Sequence, residues 1–63
     1  MKSKVLNEVI RVGNVLEKAE TRLERIIDEV DDAKAREYLT EAHDKVVEAW
    51  ATLVTLVTEE KAK

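Results

Sequence analysis

The sequence predicts an all-α fold, an antiparallel two-helix hairpin expected to pair into a dimeric four-helix bundle, and three observations carry that expectation. Apolar residues recur at heptad spacing in two separate stretches, and the phase of that spacing breaks once near mid-chain. With 63 residues, no cysteine and a single histidine, the chain also lacks the disulfides or metal cages that usually stabilise so small a domain, which leaves oligomerisation.

In the first stretch Val5, Val9, Val12, Leu16, Ala19, Leu23, Ile26 and Val30 follow one another at alternating spacings of four and three. That stripe predicts a helix over about residues 4–30. Ala35, Leu39, Ala42, Val46, Ala49, Leu53 and Leu56 repeat the alternation and predict a second helix over about residues 33–60. There is no proline and only one glycine, so neither helix carries a strong breaker. A single continuous helix fails on phase. The step from Val30 to Ala35 rotates the chain by about 500°, which would swing the second stripe about 140° away from the first. A turn at Asp31-Asp32 removes the conflict, and either aspartate suits the N-cap of the second helix. Residues 1–63 therefore form one hairpin domain.

Charge narrows the function classes. Asp, Glu, Lys and Arg make up 40% of the chain with a net charge of −3, and every basic residue has acidic neighbours within a few positions. That mixture reads as a solvated helix surface rather than a nucleic-acid arm. No stretch resembles a secretory leader, and no apolar run approaches the roughly 20 residues needed to span a bilayer. The expectation is a cytoplasmic protein without membrane contact. No enzyme is expected, because Ser3 is the only serine, cysteine is absent, and neither a nucleophile-base set nor a Gly-rich phosphate loop can be assembled. No cofactor motif is present.

Against that charged background, the run Ala49–Thr58 contains no charge at all. Ten residues cover a whole helix circumference, so the run suggests contact on more than one side. With Val9, Leu16 and Leu23 taken as heptad position a, Leu6, Gly13, Glu20 and Ile27 fall at e and Ile10, Glu17 and Glu24 at b. In the second helix Arg36, His43, Trp50 and Val57 fall at e, and Thr40, Val47 and Val54 at b. If a and d fill the hairpin seam, Leu6, Ile10, Gly13, Val47, Trp50, Val54 and Val57 form an open apolar patch at the terminal half. The expected partner is a second copy or another helical protein, and the function expected is protein-protein interaction.

Folding at the turn sets Gly13 opposite Trp50, where a missing Cβ leaves room for an indole or for a small ligand beside it. The same register sets Glu20 opposite His43, a pair that would make the interface pH-sensitive. No metal site is expected: Thr40 stands three before His43, where a Glu-x-x-His motif needs its carboxylate. Thr52, Thr55 and Thr58 form a row of their own that offers contact to a third helix.

The overall length, the mid-chain turn at Val30-Asp31, the His43-Asp44 pair, and Glu48 followed by aromatic Trp50 give the chain a resemblance to the Rop-like plasmid copy-control proteins. That resemblance implies an antiparallel four-helix dimer with loops at opposite ends, and RNA binding by the first helix. The matching positions are Lys4, Arg11, Val15, Ala19 and Ile26, of which Lys4 and Arg11 are the polar ones. An RNA-binding regulator is thus the alternative function. The terminal patch, by contrast, favours a dimer with both loops at one end.

Overall fold

The computed structural model describes residues 1–63, and it is a helical hairpin. Helix α1 runs Ser3–Glu29 and helix α2 runs Ala33–Ala62. They pack side by side along an envelope of 47 × 14 × 12 Å.

Val30, Asp31 and Asp32 reverse the chain. Val30 leaves the helix with extended backbone (φ −79°, ψ 133°) while its N–H still donates to the Ile26 carbonyl. Asp32 is the N-cap of α2: one carboxylate oxygen accepts the Lys34 N–H at 2.9 Å and the Ala35 N–H at 3.3 Å. The Arg36 guanidinium reaches back from the first turn of α2 and donates to the Val30 carbonyl. Two otherwise orphaned N–H groups and one carbonyl are satisfied inside a three-residue turn without a glycine. Replacing Asp32 by alanine is expected to lower stability by about 1 kcal/mol. Asp31→Ala removes the same charge without the cap and is the control; equal urea midpoints for the two variants would refute the capping role.

Helix α1 has no such help. Lys2 at its N-cap makes no side-chain hydrogen bond, and the first turn holds no acid and the last no base. The macrodipole favours the opposite arrangement, so α1 depends on packing for its stability.

The open end is tied by charge. The Met1 amino group and the Lys63 ammonium each lie 2.7 Å from Glu60 carboxylate oxygens. Hydrogen bonds from Lys63 and then from Met1 pull the Glu60 carboxyl down to a pKa of about 2. A depressed carboxylate stabilises the fold above its ordinary range, and that contribution is lost as pH falls towards 2.

The seam differs from the expected a and d columns. Half-buried positions on α1 are Leu6, Val9, Ile10, Leu16, Ala19, Glu20, Leu23 and Ile27, with Gly13 fully buried; at d, Ala19 is half-buried whereas Val5, Val12 and Ile26 are exposed. On α2 the a and e columns are half-buried at Leu39, His43, Val46, Trp50, Leu53 and Val57 but exposed at Arg36, and column d is split, with Ala35 and Leu56 half-buried and Ala42 and Ala49 exposed. Side-chain size explains the rotation. Column e supplies Leu6, Ile27, Trp50 and Val57, but column d of α2 is largely alanine, so seating the helices on a and e removes more apolar area from water.

This seam does not make a core. Gly13 is the only buried residue, and no apolar side chain is buried. A folded chain of 7.2 kDa ordinarily exposes about 4,100 Å², whereas the hairpin exposes 5090 Å². The excess, about 1,000 Å², is comparable to the roughly 800 Å² that one partner contributes to a standard interface.

Candidate functional site

With a and e in the seam, the flanking columns form two opposite faces. On one lie the d residues of both helices: Val5, Val12, Ala19 and Ile26 from α1, beside Ala35, Ala42, Ala49 and Leu56 from α2. None is charged, and the face runs the full length of the hairpin. Val5, Val12 and Ile26 are 44%, 52% and 45% exposed, and Val15 on its border is 64% exposed. Val5, Val12 and Leu53 line one shallow groove, and Val15, Ala19 and Ile26 another. A continuous apolar surface of this kind on a charged chain is where a partner would sit.

The opposite face carries column b: Ile10 and Val47, both half-buried, and Val54, 41% exposed, near the termini, giving way to Glu17, Glu24 and Thr40 towards the turn. Of the terminal patch expected from sequence, Ile10, Gly13, Trp50, Val54 and Val57 share one groove beside the seam, while Leu6 and Val47 are half-buried outside it. Heptad periodicity could not assign the seam, because a and d are apolar throughout both stripes, whereas column e mixes the bulky Leu6, Ile27, Trp50 and Val57 with Glu20, Arg36 and His43. Side-chain volume per column was the usable signal.

Gly13 and Trp50 do line one groove, together with Val9, Ile10, Val54 and Val57. The steric reason expected for the glycine is absent, however: a Cβ built at Gly13 meets no atom within 4 Å. The groove, about 260 Å³, falls below the usual range for small-molecule sites. Gly13→Ala should therefore add a methyl to open space and restore helix propensity, raising stability by about 1 kcal/mol. A lowered urea midpoint would show that α1 and α2 approach more closely at this point than the groove allows.

The uncharged run of α2 contributes to both the seam and the surface. Trp50, Leu53, Leu56 and Val57 are half-buried, and Thr52 and Thr55 are exposed. Their hydroxyls donate to the Glu48 and Ala51 carbonyls of their own helix at 2.9 and 3.0 Å. Bonded in this way they need no polar partner.

Near the turn, His43 packs against α1 with only 20% of its side chain exposed. Its Nε2 lies 3.4 Å from a Glu24 carboxylate oxygen, and its Nδ1 lies 3.4 Å from Asp44. Glu20 completes the group, with one donor atom from each of Glu20, Glu24 and His43 lying within 4.8 Å of the others. The sequence pairing named Glu20; the α1 carboxylate that comes within 4 Å of the imidazole is Glu24, one turn further along at column b, which an e-to-e register does not pair with His43.

The outer ridges are oppositely charged. Lys4, Arg11, Lys18 and Arg25 recur every seventh residue along α1 and all are exposed, outside any ion pair. On α2 the outer surface carries Glu37, Glu41, Asp44 and Glu48 from two adjacent columns, with Glu41 paired to Lys45 at 3.2 Å. No helix is long and apolar enough to cross a membrane. No family model, curated protein or solved structure matches the chain.

Proposed function

We propose that this chain is a self-associating interaction module, two hairpins joining through their d faces into a dimeric four-helix bundle. The observation that carries the reading is the full-length uncharged face of Val5, Val12, Ala19 and Ile26 with the alanines of α2, on a hairpin without a buried core. Columns a, d and e together make the wide apolar stripe of a bundle helix, rather than the two-column stripe of an isolated pair. The exposed excess, about 1,000 Å² per chain, is about what such a dimer needs to cover. Sedimentation equilibrium should return twice 7.2 kDa at micromolar concentration; a monomer with full helicity would overturn the reading.

A second reading has its own support. The ridge of Lys4, Arg11, Lys18 and Arg25 presents four unpaired cations about 10.5 Å apart, on the helix where the Rop-like resemblance puts its RNA contacts. Structured RNA would meet this ridge through phosphates, with affinity falling steeply as salt rises. Absence of any retardation of paired RNA hairpins at low salt removes this reading and leaves the first intact.

A further inference from the structure

We infer that Glu20, Glu24 and His43 form a binding site for a divalent transition-metal ion of the zinc class, bridging α1 to α2. The argument begins with an atom that has no partner. His43 Nε2 is fully enclosed and makes no hydrogen bond, although a Glu24 oxygen lies 3.4 Å away. When the other ring nitrogen donates its proton to Asp44, 3.4 Å away, Nε2 presents a lone pair. Two lone pairs then face each other across a protected gap, an arrangement that calls for a cation between them.

The size of the gap selects the cation. Ligand atoms about 2.0–2.1 Å from a tetrahedral metal are separated by about 3.4 Å along each edge. The Nε2 to Glu24 separation already has that value, and the Glu20 oxygen, within 4.8 Å of both, is the third vertex of the triangle. Glu20 and Glu24 are one helical turn apart on α1, so their carboxylates share a side, and His43 approaches from α2. Two carboxylates offset the charge of a divalent ion, and the imidazole nitrogen favours zinc, cobalt or nickel over magnesium or calcium. Asp44 would hold the ring in the ligating tautomer, as carboxylates behind metal-bound histidines do. Glu24 is 56% exposed, so water fills the fourth position. Sequence spacing concealed the site because its ligands come from two helices, with no Glu-x-x-His motif in either. The site sits on the face opposite the d surface, so it does not depend on self-association.

The test is calorimetric titration of the chelator-stripped full chain with zinc, with cobalt absorption as a spectroscopic check of tetrahedral nitrogen and oxygen ligation. One ion per chain is expected, with thermal stability raised by zinc and unchanged by magnesium. His43→Gln should weaken zinc binding at least tenfold, and so should Glu24→Gln, a change at an exposed side chain that leaves the fold intact even if the histidine variant does not. Zinc affinity unchanged in Glu24→Gln, or no uptake by the parent chain, overturns the site.

Discussion

Replacing Val12 by glutamate is expected to convert the proposed dimer to a monomer and to remove much of the helix signal at the same concentration. Val12 lies at the middle of the d face and is 52% exposed in the single hairpin, so the substitution strains nothing within one chain. Its effect arises only on association. A two-fold axis places both copies of the carboxylate in the interface, where an unpaired buried charge costs several kcal/mol. A weakening of the dimer by at least a hundredfold, about 2.8 kcal/mol, is the expected scale. Helicity follows, because a hairpin in which only Gly13 is buried has little packing to hold its two helices together. Asn7→Glu, placed on the outer ridge, should leave both mass and circular dichroism unchanged. If Val12→Glu sediments like the parent chain, the d face is not the contact.

The hairpin could be read from the sequence because its determinants are local. The phase jump between Val30 and Ala35 excluded one helix, and an aspartate at the start of the second stripe is what a helix N-terminus requires; Asp32 performs that role. Which columns meet across the seam is a tertiary choice. Periodicity reports that a position is apolar, not which apolar column wins, and the competition was decided by the bulk of Trp50, Leu6 and Ile27 against the alanines of column d. The same limit applied to His43. Backbone register brought it to the level of Glu20, but a long carboxylate one turn away, Glu24, makes the nearer approach. Gly13 is the residue whose presence the hairpin does not explain.

The seam assignment also reopens the question of dimer topology. A patch confined to the termini favours loops at one end, but the d face is apolar from end to end and tolerates either arrangement. Its border residues discriminate. With loops at opposite ends α1 lies antiparallel to its own copy, and residues whose numbers total about 31 meet at one level, since the d residues then pair as Val5 with Ile26 and Val12 with Ala19. Val15, 64% exposed, then meets Val15 of the second copy, and Glu8 stands opposite Arg22. With loops at one end α1 lies over α2, and Val15 faces Lys45 instead. Burial of the most exposed valine, and two pairs of opposite charges, favour opposite ends. The double variant Val12→Cys with Ala19→Cys provides the measurement. In the opposite-end dimer position 12 of one chain lies against position 19 of the other, at the centre of the contact, where Cβ atoms can come within the roughly 4 Å a disulfide needs. Within one helix the two positions are about 10.5 Å apart, so they cannot bridge internally, and the parent chain has no cysteine to compete. Mild oxidation should therefore convert most of the protein to a covalent dimer on a non-reducing gel. A dimer in solution that yields no covalent species would place the loops at the same end, with α1 of each chain against the alanines of its partner's α2.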